Sequence, residues 1–279
     1  MILGFLGKGG SGKSSVSSQT ALYLNRQKTI LAIDADHNMD LSFNVTGGEQ
    51  PDMNFLGDSL ADFQKTVGLT MDQKYTKAFT TLTPYRFTLD PISPDIARYS
   101  QELENGIRLM VAGPQTDLVL YGKACSHVLT TPLKILLPLL VLEKNEVVIV
   151  DEKAGLDGVS TGIITGIDVG VIVCEPALHS IKTAKEIAKL MDFYETPYLF
   201  VANKITSEED RNFIMDNLPE EPVAFLGAEL SIKQNPSASV DSWKESLASI
   251  FEKSQALNNN NRLERTIKKF TRNDIYQNQ

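Results

Sequence analysis

Residues 7–14 read G-K-G-G-S-G-K-S, a glycine-rich segment near the N-terminus. The segment matches every fixed position of the phosphate-loop pattern G-x-x-x-x-G-K-[ST]. Before it, residues 1–6 form a short apolar run that predicts a strand, and after it residues 15–24 carry apolar side chains at helical spacing. A strand, a glycine loop and a helix in this order are the context in which the pattern binds phosphate.

The residue types in this segment suit a phosphate group. Glycines let consecutive backbone N–H groups curl around phosphate oxygens without a Cβ in the way, and the following helix points its positive end at the same anion. Lys13 supplies a mobile charge for the β- and γ-phosphates, and the Ser14 hydroxyl suits Mg²⁺. The predicted phosphate-binding residues are Gly9, Gly10, Ser11, Gly12, Lys13, Ser14 and Ser15.

Aspartates follow two of the predicted strands. Residues 28–33 read K-T-I-L-A-I and lead into Asp34 and Asp36, while residues 146–150 read E-V-V-I-V and lead into Asp151. Carboxylates at the carboxyl ends of parallel strands lie where open α/β sheets bind their ligands. An apolar strand that delivers Asp151 toward the loop, together with the Ser14 hydroxyl, predicts a Mg²⁺ site.

A second lysine, Lys8, lies early in the loop and gives the spelling K-G-G-x-G-K-S. This spelling resembles the deviant phosphate loop of the ParA, MinD, ArsA and nitrogenase-iron-protein superfamily of P-loop ATPases. In that superfamily the early lysine reaches across a two-fold axis to the nucleotide of the partner subunit. The resemblance implies a homodimer that closes around ATP, with Lys8 and Lys13 as catalytic residues.

Three further stretches resemble the CooC-type ATPases, which mature nickel carbon monoxide dehydrogenase. They are D-A-D-H-N-M-D-L at residues 34–41, D-E-K-A-G-L-D at 151–157 and V-C-E-P-A-L-H-S-I-K-T-A at 173–184. The resemblance covers roughly residues 1–250. It implies Mg-ATP hydrolysis, with Asp34, Asp36 and Asp151 joining Ser14 as direct or second-layer partners of Mg²⁺. It also implies that Asp36 orients the attacking water and that the Gly155 N–H senses the γ-phosphate. Asn203 and Lys204 resemble the position that contacts the base in related nucleotide enzymes.

The sequence also departs from the CooC pattern. Where nickel-handling members carry a C-x-C pair, this chain has Cys125-Ser126-His127. Across a two-fold axis, Cys125 and His127 would form a Cys₂His₂ site suited to Zn²⁺ and conceivable for Ni²⁺. The equally weighted alternative is a half-buried cysteine and an unrelated histidine. His37 replaces the usual proline and Lys153 the usual glutamate.

Composition limits the class of protein. The 279 residues carry a formal net charge of −8, which argues against a broad grip on nucleic acid. No stretch approaches twenty consecutive apolar residues, and the N-terminus leads directly into the predicted strand, so neither a membrane span nor a signal peptide is expected. The two cysteines are too few for a disulfide framework. We therefore predict a cytoplasmic protein with no nucleic-acid or membrane partner.

Strands alternate with helices along the whole chain. This pattern predicts an α/β three-layer sandwich, a mostly parallel twisted sheet with helices on both faces, in one domain over residues 1–257. For residues 258–279 we predict a basic, mobile tail, in which 262–272 form a solvated helix or fray rather than contact a membrane. In the middle of the chain the predicted elements are helices at 56–67 and 71–79, a strand at 86–89 and a helix at 94–103 capped by Ser93.

Three functions are compatible with these features. The favoured one is an ATP-driven maturation factor that loads a metal at Cys125 and His127 and delivers it to a client metalloprotein. The alternative is a positioning or partition ATPase of the ParA or MinD type. A small-molecule kinase or synthetase ranks last, because the sequence contains no signature for an acceptor.

Overall fold

A computed structural model describes residues 1–49, 52–114, 121, 126–156, 159 and 162–271. Its described strands form one eight-stranded sheet in the order β3-β4-β2-β5-β1-β6-β7-β8. All neighbouring pairs are parallel except β3 and β4, which are antiparallel. The strands are β1 (Ile2–Gly7), β2 (Thr29–Asp34), β3 (Gln101–Glu102), β4 (Arg108–Val111), β5 (Glu146–Asp151), β6 (Val169–Cys174), β7 (Tyr198–Ile205) and β8 (Ala224–Gly227).

Helices cover both faces of this sheet. They are α1 (Lys13–Leu24), α2 (Asp40–Thr46), α3 (Leu60–Thr66), α4 (Lys77–Thr80), α5 (Pro94–Arg98), α6 (Leu133–Leu139), α7 (Leu178–Phe193), α8 (Glu208–Asn217), α9 (Ser231–Gln234), α10 (Lys244–Leu257) and α11 (Arg262–Thr271). Short 3₁₀ turns lie at Leu56–Asp58, Ser126–Thr130, Ile163–Gly166 and Asp241–Trp243. Within the parts of the chain just given, no helix has the length and apolar character needed to cross a bilayer.

The central strands are apolar on both sides because the sheet is buried between two helical layers. In β1, Leu3 and Phe5 pack into the apolar cluster that contains α1 and α10. Ile2 and Leu6, which point the other way, pack into the cluster that contains α6 and α7. This alternation is that of a strand covered on both faces. The predicted three-layer α/β sandwich is confirmed.

The register of the sheet brings the predicted site residues to one edge. Strand β1 lies between β5 and β6, so the phosphate loop emerges at the centre of the sheet. Asp151, the last residue of β5, is paired in register with Phe5 of β1 and with Asp34 of β2. The carboxyl ends of three neighbouring strands therefore converge beside the loop, as open α/β sheets require for a ligand site.

The predicted elements in the middle of the chain are largely wrong. The helix expected over 56–67 is broken into the turn Leu56–Asp58 and α3, and the helix expected over 71–79 is reduced to the single turn α4. The strand expected over 86–89 is not formed, since Phe87 makes only an isolated bridge to Leu140. These segments are held by tertiary contacts, which their short and irregular apolar patterns do not show.

The helix predicted over 94–103 ends at Arg98, and β3 follows it. Ser93 occupies the N-cap position as predicted, but its hydroxyl accepts the N–H of Thr88 and makes no capping hydrogen bond. Between β3 and β4, Leu103 N–H donates to Ile107 O at 2.9 Å, and Gly106 has a left-handed φ of 84°. An Asn-Gly pair is a strong hairpin signal, and this one, at residues 105–106, was missed in the prediction.

The solvated tail predicted for residues 262–272 is also wrong where the structure describes it. Helix α11 packs on the body of the protein, and Phe270 stacks on Phe79 and meets Tyr75 edge-on, both with ring centroids 5.6 Å apart. Leu263 and Ile267 pack against the same apolar cluster. The apolar side chains of this helix therefore pack against the protein, with Phe270 on residues 75–79, and are not left free to contact a membrane.

A buried ion pair fixes the start of α11. The Arg262 guanidinium lies 2.9 Å from Asp168, a carboxylate that is 1% exposed. Arg262 also donates to the carbonyls of Leu137 and Leu140. Asp168 in turn accepts the backbone N–H of Ile2 at 2.8 Å. One carboxylate thus joins the first strand to the last described helix.

We predict that Arg262→Ala destabilises the nucleotide-free protein by about 3 kcal/mol, because Asp168 would stay buried without its cation. The matched control is Lys268→Ala on the same helix, which removes an exposed pair with Glu195 and should cost less than about 1 kcal/mol. Urea unfolding at pH 7 measures both. Equal small losses in the two variants would contradict a structural role for the Arg262 pair.

Candidate active site

The glycine loop adopts backbone conformations that a Cβ would oppose. Gly10 and Gly12 have left-handed φ values of 83° and 89°. Ser11 N–H donates to Lys8 O at 3.1 Å and closes the turn, and α1 begins directly after the loop at Lys13. The first N–H groups of a helix have no intrahelical acceptor. The loop and the start of α1 therefore form a cradle of backbone donors suited to an anion.

The floor of this cradle is tightly packed. A Cβ on Gly7 would lie 2.4 Å from the carbonyl oxygen of Val173, and one on Gly12 would lie 2.2 Å from Asn203 Nδ2. Asn203 also donates to Ser11 O at 2.9 Å. The glycines at positions 7 and 12 are required by this close approach, and Asn203 lies under the loop.

Lys13 is buried between two carboxylates. Its Nζ lies 3.5 Å from Asp151 Oδ2 and 3.9 Å from Asp36 Oδ2. Burial opposes the charge of Lys13, but the carboxylates of Asp151 and Asp36, with a smaller effect of Asp34, outweigh it and raise the pKa of the ammonium. Lys13 therefore stays charged at the point where the loop ends and α1 begins.

Asp34 uses its carboxylate to hold the backbone of the segment that follows β2. Its Oδ1 accepts the N–H of Asp36 at 3.2 Å, and its Oδ2 accepts the N–H of Ser42 at 2.7 Å. Burial, and then the nearby Asp151 carboxylate, raises the pKa of Asp34 well above its ordinary value, although both N–H donors oppose this. Among the four predicted Mg²⁺ ligands, Asp34 is the one already engaged by two backbone donors.

Asp36 faces the phosphate loop and has few fixed contacts. It is 3% exposed, and its Oδ1 accepts the N–H of Asn38 at 3.3 Å. The same oxygen lies 3.3 Å from His37 Nδ1, so the histidine that replaces the family's proline contacts the predicted catalytic carboxylate. Asp36 Oδ2 faces Lys13, whose Nζ lies 3.9 Å away.

Asp151 fits a divalent cation. Both of its carboxylate oxygens are buried, and neither accepts a hydrogen bond within the part of the chain that the structure describes. Burial raises the pKa of Asp151, although Lys13 opposes the rise. The Ser14 hydroxyl, 3.4 Å from Lys13 Nζ, lies on the same side of the loop. A buried carboxylate without a donor and a nearby hydroxyl are the kinds of oxygen ligand that Mg²⁺ prefers.

The predicted γ-phosphate sensor is engaged inside the protein. Gly155 N–H donates to the Gly7 carbonyl at 2.8 Å, and Gly155 has a left-handed φ of 78°. The neighbouring Ala154 lies 3.7 Å from the position that a Cβ on Gly9 would take. The loop after β5 therefore rests on the phosphate loop, and Gly155 would have to leave Gly7 before binding a phosphate.

An open cavity of about 390 Å³, within the size range of ligand sites, lies at the loop. The predicted site residues that line it are Lys8, Gly9, Gly10, Gly12, Lys13, Ser14, Ser15, Asp36 and Lys204, and those that do not are Ser11, Asp34, Asp151, Gly155 and Asn203. Lys8 lines it while its Nζ donates to Gly9 O at 3.2 Å. The prediction missed four lining residues, one of which, Asn44, donates to Ser14 O at 3.2 Å. The missed residues are Asn38, Asp40, Asn44 and Ala154. Asn38 and Asp40 belong to the stretch D-A-D-H-N-M-D-L at residues 34–41, and their place in this motif could have indicated that they line the site.

The predicted transition-metal residues fall outside what the structure describes. Cys125 lies in an undescribed segment, and nothing is described of the His127 side chain. Across the described segments, no group of three or more His, Cys, Asp or Glu side chains is placed to hold a metal ion. The second cysteine, Cys174, is buried at the end of β6, and burial raises the pKa of its thiol to about 12. Cys174 is therefore a buried, protonated thiol in the core rather than part of the predicted metal site.

Comparison with known proteins places the loop in a family. The family model described as "CobQ/CobB/MinD/ParA nucleotide binding domain" matches residues 5–242. The chain belongs to this family. The predicted P-loop ATPase class is therefore confirmed, and the cavity at the glycine loop lies in a nucleotide-binding domain.

Two curated relatives of this nucleotide-binding domain agree with the assignment. The chain is 30% identical over 218 residues to the carbon monoxide dehydrogenase accessory protein CooC of Rhodospirillum rubrum, with 77% of this chain and 79% of that protein covered. It is 27% identical over 226 residues to an uncharacterized ATP-binding protein of Methanocaldococcus jannaschii, covering 80% of this chain and 86% of that protein.

Solved structures of similar fold agree with the architecture. The cell division ATPase MinD of Pyrococcus furiosus aligns with a TM-score of 0.61 at 17% identity, covering 92% of this chain and 98% of that one. A plasmid partition protein of Borrelia burgdorferi bound to AMPPNP aligns with a TM-score of 0.59 at 14% identity, covering 90% and 96%. At these identities the likeness establishes the fold of the family domain and no shared activity.

One acidic residue of the family domain was not predicted to be unusual. Glu152 directly follows Asp151, is 1% exposed, and its Oε1 has no hydrogen-bond partner in the described regions. Burial raises the pKa of Glu152 to about 8, with Asp151 and Asp36 adding to the rise and Lys13 opposing it. At neutral pH this side chain is a buried neutral acid at the back of the site.

We predict that Glu152 makes the nucleotide-free protein less stable as pH rises from about 4.5 to 8. In that window the folded state retains a proton that the unfolded state has lost, so rising pH favours unfolding. Glu152→Gln cannot ionise and so does not lose this stability. The difference in unfolding free energy, variant minus wild type, should therefore increase by about 3 kcal/mol between pH 4.5 and pH 8.

Urea unfolding at several pH values tests this expectation. The matched control is Glu252→Gln, which changes an exposed glutamate on α10 and should leave the pH dependence unaltered. A difference between Glu152→Gln and the wild type that does not vary with pH would contradict the raised pKa.

Proposed function

We propose that this chain is a dimeric switch that binds and hydrolyses Mg-ATP and serves in the maturation of a metalloenzyme. The observation that carries the ATPase site is the position of Lys13, whose buried ammonium lies between the carboxylates of Asp36 and Asp151 at the head of the glycine loop. The maturation role is supported by the 30% identity to the carbon monoxide dehydrogenase accessory protein.

The loop would bind the triphosphate. Backbone N–H groups of the loop and of the first turn of α1 would donate to its oxygens, with Lys13 as the charged partner of the β- and γ-phosphates. Lys8, which lines the same cavity, would reach the nucleotide of the partner subunit in a closed homodimer. This assignment explains two lysines at one short loop, each with its own phosphate target.

Ser14 and Asp151 would hold Mg²⁺, directly or through its waters, while Asp34 holds the backbone of the segment that carries Asp36. When bound, the cation neutralises negative charge on the β- and γ-phosphates. The carboxylate oxygens of Asp151 support this assignment, because they are buried and accept no hydrogen bond from the described residues, with Lys13 Nζ at 3.5 Å as the cation beside them.

Asp36 would orient the attacking water. Its Oδ1 is held by the N–H of Asn38, and its Oδ2, on the side of Lys13, would accept a hydrogen bond from that water. The water oxygen would bond to the γ-phosphorus as the bond to the leaving ADP oxygen breaks, and the Asp36 carboxylate would accept the proton that the water loses. Phosphoryl transfer of this kind depends on positioning and charge neutralisation, which a buried Asp-Lys pair can supply.

A positioning or partition role is the competing function. One structural observation counts against a membrane-binding form of it, because Leu263, Ile267 and Phe270 of α11 pack against the core. The acidic net charge of −8 likewise does not favour DNA binding. ATP-dependent co-sedimentation with DNA or with anionic liposomes would overturn the maturation role in favour of this alternative.

We predict that Asp36→Asn lowers the ATP hydrolysis rate about 100-fold and leaves ATP binding nearly unchanged, because the amide cannot accept the proton of the attacking water. The same variant should lengthen the lifetime of the ATP-bound dimer, because hydrolysis is what opens it in the proposed cycle. Phosphate release and light scattering with Mg-ATP measure the two effects. Asp216→Asn, an exposed change on α8, is the matched control. Wild-type turnover by Asp36→Asn would contradict the role of Asp36.

We predict that Cys125→Ser weakens Ni²⁺ or Zn²⁺ binding at least tenfold, because a hydroxyl is a poor replacement for a thiolate ligand. Cys174→Ser is the matched control, since that buried thiol is not available to a metal. Calorimetric titration of each ion into the full chain measures binding. Equal affinity in wild type and Cys125→Ser would remove the metal site from the proposal while leaving the ATPase intact.

A further inference from the structure

The end of β7 has an unusual backbone. Lys204 has a left-handed φ of 61°, a conformation that a residue with a Cβ rarely adopts. Between Ala202 and Ile205 the pairing of β7 with β8 changes register. Such an irregularity re-aims the side chains at a strand end. Strained backbone at a functional site persists only where surrounding contacts hold it. The left-handed conformation of Lys204 is therefore expected to make a specific contact possible.

The contact is with the phosphate loop. In a regular strand, consecutive side chains point to opposite faces. Here two consecutive side chains reach the same loop: Asn203 Nδ2 donates to Ser11 O at 2.9 Å, and Lys204 Nζ donates to Gly10 O. The left-handed backbone at Lys204 accounts for this shared direction. Two adjacent carbonyls of the loop are thus held by two adjacent residues of β7.

A carboxylate holds Lys204 in this position. Its Nζ lies 2.6 Å from Glu175 Oε2, at the carboxyl end of the neighbouring strand β6. The backbone N–H of Glu175 donates to Ser180 Oγ at 3.0 Å, which fixes the turn that carries the carboxylate. Lys204 therefore joins three segments: the loop, the end of β6 and its own strand.

The hydrogen bonds from Asn203 and Lys204 to the loop, here called the two tethers, hold parts of the loop that are packed to different degrees. A Cβ on Gly12 would collide with Asn203, so that part of the loop is already held by close contact. A Cβ on Gly10 would meet no heavy atom within 4 Å, so at Gly10 the loop has no such packing. Along the outer part of the loop, the hydrogen bond from Lys204 is the restraint that packing does not supply.

Because a peptide unit is planar and trans, fixing a carbonyl also fixes the N–H of the next residue on the opposite side. Holding Gly10 O fixes the Ser11 N–H, which donates to Lys8 O and closes the turn. Holding Ser11 O fixes the Gly12 N–H, which points away from Asn203. The tethers thus set the orientation of two consecutive amides before any phosphate arrives.

We propose that Asn203 and Lys204 are positioning residues that jointly pre-organise the phosphate loop, with Lys204 acting through the Gly10 carbonyl. This role differs from the base contact that the sequence predicts for the pair. It rests on the proposed function only for its effect on ATP binding; the restraint on the loop is a property of the nucleotide-free protein.

The test compares Lys204→Met, which keeps the length of the side chain but removes the donor, with Lys204→Arg, which keeps a charged donor. The matched control is Lys244→Met, because Lys244 is as exposed as Lys204 (44% against 46%) and has a similar ion pair, with Asp241, away from the loop. Amide hydrogen exchange of residues 8–14 in the nucleotide-free protein is the first measurement.

We expect the Ser11 amide, which donates to Lys8 O, to exchange about tenfold faster in Lys204→Met than in wild type, with Lys204→Arg and Lys244→Met close to wild type. The second measurement is steady-state ATP hydrolysis. Lys204→Met should raise KM for Mg-ATP about tenfold and change kcat less than about threefold, because the loop of the variant loses order before binding and re-forms around the bound phosphate.

Two results would overturn the proposal. If Lys204→Met weakens ATP binding but leaves exchange in the nucleotide-free protein unchanged, Lys204 contacts the nucleotide and does not tether the loop. If neither quantity changes, Lys204 has no role at the site. A chain that binds no nucleotide would refute the proposed function, while the exchange measurement would still decide the tether. Lys204→Gly, which relieves the left-handed strain, keeps the test valid should Lys204→Met fold poorly.

Discussion

A single buried charge, the Lys13 ammonium, organises the candidate site. It is surrounded by Asp36 and Asp151, and without these carboxylates a cation at this depth would be strongly unfavourable. The carboxylates can be there because β2 and β5 are neighbours in the sheet and end at the same level. The order of the parallel strands is therefore what makes the charge balance of the loop possible.

The surroundings of Lys13 also explain why the site suits a polyphosphate with a cation. The acidic groups exceed the basic ones, and burial raises the pKa of both Asp34 and Asp151. Glu152 behind them is neutral at pH 7. A divalent cation would offset this excess, and the backbone donors of the loop would offset the phosphates. Charges that are unfavourable in the nucleotide-free protein thus become complementary to the nucleotide.

The sequence was sufficient where the chemistry is local. Residues 7–14 carry a contiguous pattern, and Asp34 and Asp151 end apolar strands, so their place at the ligand-binding edge of the sheet could be predicted. That β2 and β5 are neighbours could not be predicted. The sequence was insufficient where a side chain depends on a distant partner. The packing of Phe270 against Tyr75 and Phe79 joins segments about two hundred residues apart, and the turn of Lys204 toward Gly10 depends on a left-handed backbone that no spelling indicates.

The double use of Asp168 has a practical consequence for studying this protein. The carboxylate binds both the N–H of Ile2 and the guanidinium of Arg262, so the beginning of β1 and the beginning of α11 are neighbours. Strand β1 runs from there to the phosphate loop, a length of about 20 Å. A fluorophore or affinity label on this side would therefore lie at the opposite edge of the sheet from the nucleotide, and a linker would have to preserve the hydrogen bond from the Met1 amine to Glu146 O.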